Sequence, residues 1–356
     1  MREALAVARG EGEPYRVHRW GVPCEGGRSE AGGLSIAFRA RFLHKAALCE
    51  SGCEVKVFGI LGKSYSGSTV LNHVLNSAPG VVGASELWRL RKSAKYGCAI
   101  CGGQCRVWTK PAREAISAAS DGEFYWRVGD AAGTPLLVDA SKSIMHFSRD
   151  VVSAARLAGV DFQFVLVAKN PLAHVASHLY NKSAVVDRRL GTYADVRAFL
   201  DTQEGSILAK AFLAQLRSYY RDALERPRPW LRDVPLIRIE DVVTNPVTIT
   251  EPASLFFGIP RNNFAVDAWG DAEIHPIGGN SGPLVQTKAG GAFKSATDAD
   301  RLDAYRAHSG LFIDEKWRQF MPERLVRDII DDPLYDELVA LLGYRRDYPL
   351  SSPSPV

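Results

Sequence analysis

Short apolar runs alternate along this chain with stretches in which apolar residues recur every three to four positions, the pattern of buried strands separated by amphipathic helices. Val55, Val57, Phe58, Ile60 and Leu61 predict a strand over 55–61, and similar runs predict strands over 135–139, 162–168 and 234–239. Helices are predicted over 67–77, 144–157, 171–180 and 193–224, and past Pro246 to Phe257, where Gly258-Ile259-Pro260 ends the pattern. Helical spacing returns over 322–343. Such alternation predicts an α/β fold of three layers, a central parallel sheet flanked by helices, with ligands beyond the carboxyl ends of the strands.

The first strand end carries the strongest chemical signal. Gly62 and Gly67 bracket Lys63, Ser64, Tyr65 and Ser66, and Ser68 and Thr69 open the following helix. A glycine-rich turn into a helix start offers unpaired N–H groups and the positive end of the dipole to a phosphate or sulfate oxygen, so the fold is expected to be P-loop-like. Ser66, Ser68 and Thr69 add hydroxyl donors. Gly62-Lys63-Ser64 imitates the end of a nucleotide-triphosphatase loop, but that motif needs glycine where Val57 stands. A Ser/Gly turn that only caps a core helix is the plainer alternative.

Two more strand ends offer charge and hydroxyls: Asp139-Ala140-Ser141-Lys142, and Ala168-Lys169-Asn170-Pro171 followed by Ser177. With the first loop, these segments resemble the sulfotransferases that use 3′-phosphoadenosine 5′-phosphosulfate (PAPS), of bacterial type and similar to the tyrosylprotein and carbohydrate branch. Ser66-Gly67-Ser68-Thr69 is similar to the 5′-phosphosulfate loop, and Lys169 with Ser177, eight positions on, to the 3′-phosphate signature. Arg238-Ile239-Glu240-Asp241, Phe256-Phe257-Gly258-Ile259-Pro260 and Lys316-Trp317-Arg318 resemble later family segments, so that the likeness runs over roughly 55–345. Three positions depart from the pattern. Tyr65 stands where the family has a basic residue, Lys169 where it has arginine, and Asn170 where it has an acid.

The resemblance implies a sulfuryl transfer from PAPS to a hydroxyl or amine of a small-molecule, glycan or peptide acceptor, leaving adenosine 3′,5′-bisphosphate. It implies Lys63, Ser64, Tyr65, Ser66, Gly67, Ser68, Thr69, Lys169 and Ser177 as the donor site, and Glu86, after the first helix, as general base. Lys142 and Lys63 are then the cations that hold the reacting oxygens, and no metal is required for the transfer. His275 is the rival base. A P-loop kinase and a nucleotide-binding module without turnover remain as alternatives.

Cys98, Cys101 and Cys105 cluster in a C-x-x-C-x-x-x-C segment. A zinc site wants a fourth ligand, which the neighbouring sequence does not display. A family insertion near the acceptor mouth and a redox-sensitive pair are the other readings. Trp88, Trp108 and Trp126 are either acceptor-cleft walls or packing, and segments 88–130 and 180–200 read as variable surface that sets the acceptor.

At 356 residues with 46% hydrophobic and 24% charged residues, composition is that of an ordinary globular chain. A net charge of +4 suits an anionic small ligand and falls short of a nucleic-acid-binding surface. No apolar run has membrane-spanning length and no secretory leader is evident, so a cytoplasmic protein is expected. Residues 1–53, with a short helix over 37–48, are expected to be a poorly ordered extension, 54–347 the sulfotransferase domain and 348–356 a frayed tail.

Overall fold

A computed structural model describes residues 54–186, 192–231, 234–287, 299–308 and 310–346, so the expectations for 1–53 and 348–356 lie outside the described residues. The elements begin with β1 (Val55–Gly62), α1 (Ser68–Asn76), β2 (Val81–Ser85), α2 (Trp88–Lys92), α3 (Lys110–Ser117), α4 (Phe124–Ala132) and β3 (Leu136–Lys142). There follow α5 (Arg149–Leu157), β4 (Val160–Ala168), α6 (Pro171–Val186), α7 (Tyr193–Leu200), α8 (Gln203–Glu225), β5 (Leu236–Arg238), α9 (Ile239–Thr244) and α10 (Val247–Phe257). Short helices α11 (Ser281–Leu284), α12 (Ala299–Arg306) and α13 (Trp317–Phe320) precede α14 (Glu323–Ile330) and α15 (Pro333–Leu341).

The sheet has five strands in the order β2-β3-β1-β4-β5, and every pairing is parallel. The chain runs from β1 to one edge, returns through β3, and crosses to β4 on the other side of β1. The carboxyl end of β1 is therefore the switch point, where a doubly wound sheet opens a crevice. The three-layer α/β architecture expected from the alternation, a central parallel sheet flanked by helices, is the one observed.

Strand periodicity divides the core in two. Val57 and Leu61 of β1 share one face with Leu137, Phe162, Phe164 and Leu166, under α4, α5 and α8. Phe58 and Ile60 point the other way with Val138, Ala140, Val165 and Val167, under Leu71, Val74 and Leu75 of α1 and Ile249, Ala253 and Phe257 of α10. Leu71 is fully buried, and its truncation to alanine costs about 2–5 kcal/mol.

Several boundaries differ from the sequence expectation, each for a local reason. β2 was not anticipated: Val81-Val82-Gly83-Ala84-Ser85 is too short and too small in side chain to show a strand pattern, and it is held by pairing to β3 and by α1. Asn76 Oδ1 accepts from Gly83 N at 2.8 Å and Asn72 Oδ1 from Ser85 N at 3.1 Å. The single helix expected over 193–224 is two, because Thr192 caps α7 in a capping box and Thr202 caps α8. The helix expected from 144 starts at Arg149, where Ser148 Oγ accepts from Val151 N. The last strand ends at Arg238 because Ile239 already begins α9. Segment 88–130, expected as loops, contains α2, α3 and most of α4.

Candidate functional site

A cleft opens at the carboxyl ends of β1, β3 and β4, lined among others by Ser64, Tyr65, Gly67, Ser68, Thr69, Glu86, Lys142, Lys169 and Ser177. Its floor is the loop after β1. Gly67 precedes α1 at φ 97°, and no side chain caps that helix. A Cβ on Gly67 would stand 2.7 Å from Ile239 Cγ1, so backbone and space both require glycine there. His174 from α6 fixes the loop from below: its Nε2–H donates to Ser64 O at 2.7 Å. Burial, then His178, holds the His174 imidazole well below its ordinary range, so it supports the loop as a neutral ring.

The non-glycine residues with left-handed φ among the described residues are Tyr65 (71°), Ser85 (60°) and Lys142 (66°). They fall in the loop after β1, at the end of β2 and at the end of β3. Strained backbone of this kind persists where surrounding structure over-determines it, and it concentrates at functional sites. Ser85 and Lys142 end the neighbouring strands β2 and β3, one on each side of the gap between them.

Glu86 and Lys142 meet across that gap. Lys142 Nζ donates to Glu86 Oε1 at 2.7 Å, and Arg89 Nε, from the second residue of α2, donates to Oε2 at 2.5 Å. Burial pushes the Glu86 carboxyl up, but the Lys142 ammonium and the Arg89 guanidinium outweigh it and hold the group below its ordinary value. Glu86 N donates to Ile277 O at 3.2 Å, which ties the residue to the 275–280 segment. Asp139 organises the Lys142 side of the gap. Its carboxylate accepts from Ser141 N at 2.9 Å and Tyr125 OH at 2.9 Å, with His146 Nε2 at 3.1 Å, and it is fully buried. Ser141 Oγ in turn accepts from Trp88 N at 3.0 Å, joining β3 to the start of α2.

At the end of β4, Lys169 Nζ donates to Ser177 Oγ at 3.0 Å, so the two residues expected to act together do meet. The same ammonium lies 2.8 Å from Asp314 Oδ2, whose other oxygen lies 3.0 Å from Lys316 Nζ. Burial pushes the Asp314 carboxyl up, and the two lysines overcome it and hold the group well below its ordinary value. Asn170 does not face this anion site. Its Oδ1 accepts from Leu172 N and Ala173 N at the start of α6, and its own N–H donates to Glu240 Oε1 at 2.8 Å.

Other candidates stand elsewhere. Lys63 and Ser66 are absent from the cleft lining. Lys63 Nζ lies 5.8 Å from the centre of the Tyr219 ring, and the Ser66 hydroxyl is fully buried without a hydrogen-bond partner. Trp88, Trp108 and Trp126 do not line the cleft either. Trp108 is buried and Trp126 donates to Ala158 O at 2.8 Å, as packing residues do. The aromatic wall comes instead from Tyr180, Tyr193, Tyr305, Phe312, Trp317 and Phe320.

Arg89, Asp314 and Lys316 were not assigned roles from sequence. Arg89 carried a usable signal, one helical turn after Glu86, whereas Asp314 lies 145 positions from Lys169 and only the fold joins them. His275, the rival base, stands outside the cleft lining. Its Nδ1 lies 3.4 Å from Cys101 Sγ and 3.5 Å from Cys105 Sγ, in a group with Cys98.

No protein-family model and no curated protein matches the chain. Among solved structures it is similar to the sulfotransferase domain from the Synechococcus PCC 7002 olefin synthase, at 14% identity and TM-score 0.43, covering 81% of this chain and 93% of that one. No helix among the described residues is long and apolar enough to cross a membrane.

Proposed function

We propose that the protein transfers a sulfuryl group from PAPS to a hydroxyl or amine of an acceptor. The observation that carries this reading is the opening of an uncapped, glycine-started α1, the Lys142–Glu86 pair and the Lys169–Ser177 pair on one cleft. The site fits a donor with two separate anionic groups. The N–H groups of α1 and the Ser68 and Thr69 hydroxyls suit the 5′-phosphosulfate, and Lys169 with Ser177 suits the 3′-phosphate. The order of the motifs, which resembles that of PAPS-dependent sulfotransferases, supports the same division.

When bound, the donor supplies an activated sulfuryl group whose bridging S–O bond breaks as the acceptor oxygen attacks. Glu86 takes the acceptor proton. Its two cations keep it ionised and weaken it as a base, so we assign Lys142 a second role. Its ammonium turns to the reacting oxygens, stabilises charge moving to the leaving phosphate, and frees Glu86 Oε1 to accept. Lys169 and Ser177 hold the nucleotide end still while this occurs. The aromatic wall of Tyr180, Tyr193 and Trp317 suits an acceptor with an apolar or sugar-ring face.

The test is a transfer assay with PAPS carrying labelled sulfur against small-molecule, glycan and peptide hydroxyls and amines. Formation of sulfated product and adenosine 3′,5′-bisphosphate in equal amounts, undiminished when magnesium, which a kinase requires, is left out, is expected. Saturable binding of the bisphosphate without product on any acceptor class would favour instead a nucleotide-binding module, the reading to which the doubly paired Glu86 lends weight. Phosphate transfer from ATP would overturn both.

A further inference from the structure

Away from the cleft lining, the turn after α2 and the loop before α11 bring Cys98, Cys101, Cys105 and His275 together, with their four ligand atoms all within 4.8 Å of one another. We propose that these residues bind one zinc ion, and that the ion fastens the 275–280 segment against the strand end that carries Glu86. The inference does not depend on what the cleft transfers.

The geometry suits a single tetrahedral ion. Zinc–sulfur bonds of about 2.3 Å and zinc–nitrogen bonds of about 2.0–2.1 Å set a sulfur–nitrogen edge of about 3.5 Å. The His275 Nδ1 distances to Cys101 and Cys105 are 3.4 and 3.5 Å. The opposite ring nitrogen has the partner expected behind a metal-bound histidine: Nε2 lies 2.9 Å from Glu273 Oε1, which fixes the proton on Nε2 and leaves the Nδ1 lone pair facing the sulfurs. The sulfurs also receive backbone donors, Cys101 N to Cys98 Sγ at 3.4 Å and Trp108 N to Cys105 Sγ at 3.3 Å. Gly102, at φ 58°, returns the chain so that its N–H bonds Cys98 O at 3.0 Å. Three sulfurs and one imidazole nitrogen form a closed set of borderline-soft donors, which selects zinc over magnesium or calcium and leaves no open position for catalysis.

The distant fourth ligand is the reason the cysteine segment is ambiguous in sequence, since His275 lies 174 positions from Cys101. The residues just after His275 are the ones the ion would hold. Ala99 N donates to Pro276 O at 2.8 Å, Ile277 N to Ala84 O at 2.8 Å, and Glu86 N to Ile277 O at 3.2 Å. Three residues on, Asn280 N donates to Thr69 Oγ1 at 3.2 Å. The 275–280 segment is thus an added parallel partner at the end of β2, pinned at one end by the proposed ion and at the other by Thr69 in the first turn of α1.

The experiment uses the full chain, purified from zinc-supplemented cells. Elemental analysis is expected to give roughly one zinc per chain, retained when Cys24, Cys49 and Cys53 are all changed to serine. Cobalt(II) exchanged into the site should show thiolate-to-metal charge transfer and the intense visible bands of tetrahedral coordination. Glu273→Ala should weaken zinc binding by about 10- to 100-fold in competition with a chromophoric chelator, His275→Ala should weaken it further, and His275→Cys should restore it. If a ligand variant does not fold, the cobalt spectrum and the competition titration on the parent chain decide the matter. On removal of zinc, the amides of Ala99, Ile277 and Glu86 should exchange hydrogen faster, an effect independent of turnover. Zinc well below one per chain with no thiolate band from cobalt overturns the proposal, as do zinc lost with Cys24, Cys49 and Cys53, undiminished binding in His275→Ala, or a disulfide among Cys98, Cys101 and Cys105 in freshly isolated protein.

Discussion

Lys142 reaches from the end of β3 to Glu86 just past the end of β2, its Nζ 2.7 Å from Oε1, so that each residue restrains the other's reactivity. Glu86→Gln keeps size and most hydrogen bonding while removing proton acceptance. Turnover is expected to fall by about 10²- to 10⁴-fold with bisphosphate affinity little changed, measured by labelled-sulfur transfer and calorimetry. Near-normal turnover would remove Glu86 from the chemistry.

On the proposed mechanism, the same pair sets the acid limb of the pH profile. Lys142 and Arg89 hold the Glu86 carboxyl below its ordinary value of 4.5 against a burial effect that pushes it up. The ionised form is the base, so in Lys142→Met, with burial less opposed, the acid limb of kcat/KM should move to higher pH while turnover also drops. An unmoved limb in that variant would mean that another group titrates there.

For the proposed transfer, Lys63 and Lys142 are rival candidates for the cation on the reacting oxygens. Lys63 Nζ lies over the Tyr219 ring, 5.8 Å from its centre, and its side chain is absent from the cleft lining. Lys63→Ala is therefore expected to retain turnover within about threefold, whereas Lys142→Met loses about 10²-fold or more, the scale for removing one stabilising group from a transition state. The reverse order would return the role to the loop.

Lys169 offers a phosphate one ammonium that already carries Asp314, at 2.8 Å. A 3′-phosphate and that carboxylate repel each other at close range, by an amount large enough to matter in a partly desolvated site. Asp314→Asn should tighten binding of adenosine 3′,5′-bisphosphate by about fivefold or more, and Ser177→Ala should weaken it by about 1.5–3 kcal/mol. Weaker binding in Asp314→Asn would instead make Asp314 the residue that orients Lys169.

How much of this was legible in the sequence depends on how local each feature is. β1, its loop and α1 are contiguous and strongly patterned, so the strand, and the turn and helix start that line the cleft, could be read directly. Lys169 stands between β4 and α6 and Ser177 in the second turn of α6, only eight positions on, so their hydrogen bond is a local one. β2 was lost because its side chains are small and its stability comes from β3 and from Asn72 and Asn76 of α1. Asp314 and His275 were unreadable as partners because each meets its group only after the chain has crossed the sheet. Trp108 was ambiguous for a different reason: a large buried ring and a cleft wall look alike until its neighbours are known.

Two buried histidines predict a stability that falls as the solution is acidified. Burial lowers the His73 imidazole from its ordinary 6.5 to about 3, and burial with the neighbouring His178 lowers His174 as well. Between those values the unfolded chain takes up a proton that the folded chain refuses. The contribution is therefore complete above pH 6.5 and lost as pH falls, by about 2 kcal/mol for His73 at pH 5. His73→Phe tests this cleanly. The ring is stacked on Trp269 with centroids 5.5 Å apart, its Nε2 has no hydrogen-bond partner to lose, and the 3.4 Å contact of Nδ1 with Asn72 Nδ2 that the variant gives up lowers stability equally at every pH tested. Urea unfolding of parent and variant at pH 7, 6 and 5 should show the parent losing stability more steeply, by up to about 1.4 kcal/mol per pH unit. Parallel curves would mean that His73 titrates in the folded protein much as it does in the unfolded one.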